Sequence, residues 1–322
     1  MNNYSWLQQK LHQVALSSKF IREVSFIVES WTMQKKQHID NNIFIAGLAR
    51  SGTTALLNAL YKSNNFATLS YQNMPFILAP NLWTKLSSFS NQDNHSIDRA
   101  HDDGIKISIK SPEAFEEVFW MTFDEGDDVT RDKFKIYIQL INQNKNKNRY
   151  LSKNNQNVKR LKLISNIFPR SKILILVRDP LQTSYSLLSQ HRKFIDASKE
   201  DNFISNYMKW IGHTEFGPNY IPLHQNNLIY GNPLYFNHWL EQWYLTYHTL
   251  LNNFKDKNNI YFICYEKLCL SKNYWNDLLS KLSVNKKYNF KFIESRKDIN
   301  LEIDINLRKK ASSLYLKLFD LS

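Results

Sequence analysis

Glycine is scarce in this chain, at 7 of 322 residues. Two of the seven, Gly47 and Gly52, fall in one short stretch and so ask for an explanation. Cysteine is scarcer still: only Cys264 and Cys269 occur. That excludes a disulfide scaffold and a Cys-rich zinc domain, and it suits a reducing compartment. No apolar run approaches the roughly 20 residues of a membrane span. The opening MNNYSWLQQKLHQ has no basic region followed by an apolar stretch, so no signal peptide is read and a cytoplasmic location is expected.

Hydrophobic residues make up 43% and aromatics 14%, too apolar for a disordered protein. The length allows a full core in one large or two small domains. Lys and Arg total 42 against 29 Asp and Glu, a net charge of +13. Such an excess points to an anionic partner: nucleotide, nucleic acid, acidic glycan or membrane surface. A Lys- and Asn-rich composition spread over a solvated surface accounts for most of it.

Residues 4–36 read as one or two amphipathic helices. Leu7, Leu11, Val14, Ile21, Val24, Val28 and Trp31 recur at spacings of three, four or seven, and are expected to face the core. Ile43–Ala46 is a short apolar run, read as a buried parallel strand, and Thr53 onward as a helix. Residues 84–104 are polar and loop-like, and a helix is expected from Pro112 through PEAFEEVFW. NQNKNKNRYLSKNNQN, residues 142–157, reads as a loop around a short strand at 149–152. KILILV at 172–177 is a second buried strand, 181–192 a helix, and 201–234 an irregular, lid-like segment. Residues 235–253 return to helix, Ile260–Cys264 is a third strand, and the tail from 271 is mostly helical. Alternating strands and helices imply a mainly parallel sheet with helices on both faces. An N-terminal helical segment, 1–38, is expected to pack on one domain, 39–322.

Gly47-Leu48-Ala49-Arg50-Ser51-Gly52-Thr53-Thr54 fits G-x-x-x-x-G-T-T between strand and helix. That is the frame of a P-loop, whose backbone N–H groups cradle phosphate at a helix N-terminus. A P-loop proper has Lys before its last hydroxyl residue, reaching the β- and γ-phosphates. Thr53 stands there instead, and the cation, Arg50, lies inside the loop. The loop suits one terminal anionic group better than a triphosphate with magnesium.

FIAGLARSGTTALLNAL resembles the 5′-phosphosulfate loop of sulfotransferases that use 3′-phosphoadenosine 5′-phosphosulfate (PAPS). The resemblance implies a three-layer α/β/α fold like that of P-loop nucleotide hydrolases. It implies that Ser51, Gly52, Thr53 and Thr54 donate to the 5′-phosphate, with Arg50 by the sulfuryl group. SKILILVRDPLQTSYSLLSQH resembles the family's 3′-phosphate segment, with Arg178 at a strand end and Ser186 eight residues on. An Arg fork pairs with phosphate oxygens, and a nearby Ser adds a donor. YLSKNNQNVKRLKLISNIFPRSKILILVRDP is similar in layout to the tyrosylprotein and glycan sulfotransferases. Their lysine maps onto Lys153, which would neutralise the bridging oxygen as sulfate leaves. IYFICYEKLCLS resembles the family's strand followed by Tyr-Glu-x-Leu, which sets Tyr265 by the nucleotide or in the core; Arg296 and Lys297 are further candidates for the 3′-phosphate.

The chain departs from these relatives at the base. Several glycan and tyrosylprotein sulfotransferases carry a catalytic Glu about one helix beyond the loop, where this chain has SYQNMPF, with Tyr71, Gln72 and Asn73. DRAHDDGIKISIKSPEAFEEVFW offers substitutes: His101 and Glu113 first, then Asp103 and Glu116, with Asp102 and Glu117 alongside. Arg and Lys can carry the developing charge, so no metal is required. The aromatics from Trp210 to Tyr247 read either as a stacking surface or, at helical spacing, as core, and His238 as structural.

The function expected is sulfuryl transfer from PAPS to a hydroxyl acceptor, a carbohydrate first, in a bacterial surface-glycan pathway. A P-loop nucleotide kinase or NTPase is the first alternative. A nucleic-acid-binding protein is the second, on charge alone.

Overall fold

A computed structural model describes residues 5–33, 41–87, 97–98, 106–107, 110–123, 125, 127–226, 228–284 and 288–322. The N-terminal part contains α1 (Trp6–Ser17), α2 (Lys19–Ser30), β1 (Ile43–Ala46), α3 (Thr53–Tyr61) and α4 (Pro80–Ser87). A two-stranded antiparallel piece, β2 (Ile97–Asp98) and β3 (Lys106–Ile107), precedes α5 (Glu117–Thr122), α6 (Asp128–Lys145) and β4 (Leu151–Lys153). Then come α7 (Leu161–Ile167), β5 (Lys172–Val177), α8 (Pro180–Glu200) and α9 (Asn202–Trp210). The chain closes with α10 (Phe236–Phe254), β6 (Ile260–Cys264), α11 (Tyr265–Leu270), α12 (Lys272–Lys281) and α13 (Ile305–Leu321).

β4, β1, β5 and β6 form one parallel sheet in that order. Side chains of a strand alternate between faces, and β1 and β5 use the alternation to build two cores. Phe44, Ala46, Ile173, Ile175 and Val177 join the aromatic-rich core on one face, under α6, α8, α10 and α13. Ile43, Ile45, Leu174 and Leu176 join the smaller core under α3, α11 and α12. A sheet covered on both faces reads as a continuous apolar run, which is why IFIA and KILILV are legible as strands. The result is the three-layer α/β/α, P-loop-like architecture.

Three elements depart from the periodicity. In α1 and α2 the apolar stripe faces outward: Leu7, Leu11, Val14, Val24 and Val28 are all exposed, as is Trp31 at the α2 C-cap, by 77%. Buried polar bonds decide the orientation. Glu29 is fully buried and accepts from the Asn81 and Leu82 backbone N–H groups, at 2.7 and 3.0 Å, at the start of α4. Arg22 donates to Thr122 Oγ1 at 2.8 Å and to the Leu16 carbonyl. The helix expected from Pro112 begins only at Glu117, because Pro112 bridges Ser70 and the Glu113 N–H bonds the Leu69 carbonyl at 3.1 Å. Residues 201–234, read as irregular, include α9, whose start is capped by Asp201 accepting from the Phe203 N–H at 2.8 Å. Among the described residues no helix is long and apolar enough to cross a membrane.

Candidate active site

The Gly loop leaves the C-terminal end of β1, where an open parallel sheet presents its binding crevice. Two glycines are required by close approach. A Cβ on Gly47 (φ 133°) would lie 2.6 Å from the Leu176 carbonyl oxygen. A Cβ on Gly52 (φ 96°) would lie 2.3 Å from the Tyr265 ring. Tyr247 pins the loop's entry: its hydroxyl donates to the Leu176 carbonyl at 2.5 Å and accepts from the Leu48 N–H at 3.3 Å.

Gly52 caps α3 without a side chain, and the first helical amide bond runs from Leu56 to Gly52 at 3.1 Å. The amides of Thr53, Thr54 and Ala55 precede it, so the helix itself offers them no carbonyl. A helix start of this kind is suited to an anion, which accepts from those N–H groups and is favoured by the dipole.

Arg50 stands in the left-handed region at φ 69°, a strained backbone for a residue with a Cβ. Its neighbours hold it there. Arg178 Nη1 donates to the Arg50 carbonyl at 3.1 Å, and Arg50 Nε donates to Ser186 Oγ at 2.9 Å. Thus the loop cation meets both residues of the second motif. Arg178 also donates to the Ser295 carbonyl at 2.5 Å and lies 5.8 Å from the Tyr265 ring centre. Gln182 exchanges bonds of 3.0 and 2.8 Å with the Lys297 backbone, which brings the segment holding Arg296 to the same corner. The Tyr265 hydroxyl donates to the Ile293 carbonyl at 3.0 Å, and burial pushes its phenol well above the ordinary range.

Ser51 does something other than face a ligand. It is fully buried, and both its N–H and its hydroxyl point to the Leu48 carbonyl, at 3.2 and 2.7 Å. It shapes the loop. Thr53 Oγ1 donates to Asn155 Oδ1 at 3.2 Å, a partner that sequence reading missed.

On the other side of Arg50 lies a cavity of about 250 Å³. Arg50, Thr53, Thr54, Glu113 and Lys153 all line it. Lys153 ends β4, paired in register with Ile45 of β1, and is nearly buried. Glu113 arrives from a distant segment: 69–71 pairs with 111–113, and the Tyr71 hydroxyl donates to Glu113 Oε2 at 3.0 Å. A carboxylate therefore enters the cavity beside the SYQ stretch that itself lacks one.

The other expected bases divide. His101, Asp102 and Asp103 lie outside the described residues. Glu116 faces away from the cavity into a buried network, accepting from Ser152 Oγ (2.5 Å), Tyr150 (3.0 Å), Asn157 (3.0 Å) and Trp120 (3.2 Å). Glu117 reaches the cavity wall but is gripped by both Arg160 Nη groups at 2.7 Å. Burial pushes its carboxyl up, and the Arg160 bonds work against that shift. His213 and Glu215, 3.4 Å apart, also line the cavity. Sequence reading missed them, because no spacing marks a pair brought in by a loop. Trp239, Trp243 and Tyr247 are core. His238 is buried between the Tyr230 carbonyl (2.6 Å) and the Tyr220 hydroxyl (2.7 Å), and burial lowers its pKa. Among the described residues no cluster of His, Cys, Asp or Glu fits a metal ion.

An uncapped helix start with a cationic loop, on a parallel sheet covered on both faces, is the arrangement of an α/β protein suited to a phosphate-like anion. The family is then plain: the sulfotransferase family model matches residues 42–216, more than half of the chain, and this protein belongs to that family. The chain is a sulfotransferase, and the family implies PAPS as donor. No curated protein matches its sequence. Among solved structures it is similar to sulfotransferase STF1 of Mycobacterium tuberculosis, with 11% identity and a TM-score of 0.49 over 98% of this chain and 86% of that one. It is also similar to STF9 of Mycobacterium avium, with 9% identity and a TM-score of 0.45 over 98% and 79%. A sulfotransferase from Alicyclobacillus acidocaldarius shows 14% identity and a TM-score of 0.38 over 88% and 94%. These likenesses are too distant to bear on residue roles.

Proposed function

We propose that the protein transfers the sulfuryl group of PAPS to a hydroxyl acceptor held in the cavity, with Glu113 as base. The observation that carries this reading is the convergence of Arg50, Lys153 and Glu113 on one cavity at the uncapped start of α3. The uncapped α3 start and the Arg178–Ser186 corner fit the two phosphate ends of such a donor. PAPS supplies an activated S–O bond whose cleavage leaves adenosine 3′,5′-bisphosphate.

The chain's own groups then have separable roles. The α3 start, with Thr53 and Thr54, holds the 5′-phosphate, while Arg178, Ser186 and the 295–297 segment hold the 3′-phosphate. Lys153 and Arg50 balance negative charge on the leaving side, where fixed cations act without reorganising. Glu113 accepts the acceptor's hydroxyl proton as the new S–O bond forms, and Tyr71 orients its carboxylate. Water is kept from the reacting centre on the side closed by Phe194 and Phe216, which line the same cavity.

The first choice of acceptor from family resemblance is a carbohydrate. The hydroxyl is what the base requires; the body that bears it is a separate matter. The test is calorimetric titration with adenosine 3′,5′-bisphosphate beside ATP with magnesium. Tight bisphosphate binding, lost in Arg178→Ala, is expected. Magnesium-dependent ATP binding without bisphosphate binding would sink the reading and favour a kinase.

A further inference from the structure

Helix α9 forms the far wall of the cavity. Its residues Phe203, Ile204, Tyr207 and Met208, with Ile211 at its C-cap, line it, at positions i, i+1, i+4, i+5 and i+8. That spacing puts one continuous apolar stripe of the helix toward the space. Four of the five, Met208 apart, are only half-buried, so they leave apolar surface for something to cover. The wall is preformed. Asp201 caps α9, Asn219 Nδ2 donates to the Ser205 carbonyl at 2.9 Å, and the ring of His12 on α1 lies 5.9 Å from that of Tyr207.

The polar groups of the cavity lie elsewhere, and several are engaged with one another. Glu117 is held by Arg160 and by Asn154 Nδ2 at 2.8 Å. Asn155 Oδ1 accepts from Thr53. A sugar carries hydroxyls around its whole ring, and those laid against α9 would lose water without gaining partners. An alcohol or phenol on an apolar body has one polar end and meets no such penalty.

We propose that the acceptor is a hydroxyl borne on an apolar body, an aliphatic alcohol or a phenol, lying along α9 with its oxygen toward Glu113 and Lys153. This names the substrate class of the site and rests on the sulfotransferase reading of it. It replaces the carbohydrate expected from resemblance. Specificity then resides in α9 rather than in the nucleotide loops.

The test uses the full chain loaded with adenosine 3′,5′-bisphosphate and titrated with 2-naphthol, 1-octanol and N-acetylglucosamine. Binding of the first two and not the sugar is expected. Ile204→Gln and Ile211→Gln, at half-buried positions, should each weaken 2-naphthol about tenfold, the scale of a lost apolar contact in a pocket. They should leave bisphosphate affinity unchanged. Failure of both apolar probes to bind, tighter binding of the sugar, or unaltered 2-naphthol affinity in both variants would overturn the acceptor class while leaving the donor reading standing. Failure to bind the bisphosphate at all would overturn both.

Discussion

The Tyr71 hydroxyl donates to Glu113 Oε2 at 3.0 Å, across 42 residues of sequence. The Tyr71 ring also stands edge-on to Phe115, with centres 5.4 Å apart, so the phenol is fixed at both ends. Glu113→Gln removes the proton acceptor and should lower kcat by about 10²–10⁴-fold, the usual worth of a general base. Bisphosphate affinity should stay unchanged. Tyr71→Phe keeps the ring and should cost less in kcat than Glu113→Gln. Release of adenosine 3′,5′-bisphosphate during turnover reads both. A Glu113→Gln enzyme at wild-type rate would remove Glu113 from the chemistry.

Lys153 is a buried cation at the cavity, a position that ordinary surface lysines do not take. Lys153→Ala should reduce kcat about 10²–10³-fold, the cost of deleting one group that stabilises developing charge. Far-ultraviolet circular dichroism should remain native, since Lys153 ends its strand. Loss of affinity for the bisphosphate with kcat intact would instead make Lys153 a binding residue.

Arg178 and Ser186 meet at Arg50, one through its carbonyl and one through its guanidinium. Hydrogen bonds to charged groups contribute about 1.5–3 kcal/mol. Arg178→Ala should therefore weaken bisphosphate binding by roughly one to two powers of ten in calorimetry. Arg178→Lys should recover little, because a point charge does not reproduce the fork. Adenosine 5′-phosphate, lacking the 3′-phosphate, should barely distinguish wild type from variant.

Glu116 accepts four hydrogen bonds from buried or nearly buried donors. Glu116→Leu would strand the Tyr150, Ser152, Asn157 and Trp120 donors, each unsatisfied group costing about 1–3 kcal/mol. A drop of several kcal/mol in urea unfolding is expected, or failure to fold. Glu113→Gln in the same assay should stay near wild type.

His191 is buried, accepts from the Gly217 N–H at 3.1 Å through Nδ1, and packs against Tyr220 and Trp239. Burial, helped by His238 and Arg192, lowers its pKa to about 4. The unfolded chain takes up that proton near the ordinary value of about 6.5. The stability held by the neutral ring is thus complete above about 6.5 and is lost as pH falls toward 4. Tm measured from pH 7 to 4.5 should fall more steeply in wild type than in His191→Gln. Parallel curves would show that His191 does not carry the acid sensitivity.

By itself the sequence determined the strand–loop–helix of residues 43–61, the buried strands at 172–177 and 260–264, and the cation within the loop. These are local facts: an apolar run, a glycine where a side chain would meet Tyr265, an arginine where a lysine is absent. The tertiary structure decided the rest, because non-local pairs made the choice. Leu7, Val14 and Trp31 have the spacing of a core face, yet Glu29 and Arg22 find their partners on the other side and turn the stripe outward. Glu113 looks like the second residue of a helix; only the pairing of 69–71 with 111–113 takes it into the cavity. Glu116 and Glu117, adjacent in sequence, are separated by partners that no spacing encodes: Ser152 and Tyr150 for one, Arg160 for the other. The loop fixes which anion-binding class the chain belongs to, because phosphate needs only consecutive backbone N–H groups. The acceptor wall on α9 becomes one surface with Glu113 and Lys153 only after folding, because segments distant in sequence must meet to enclose it.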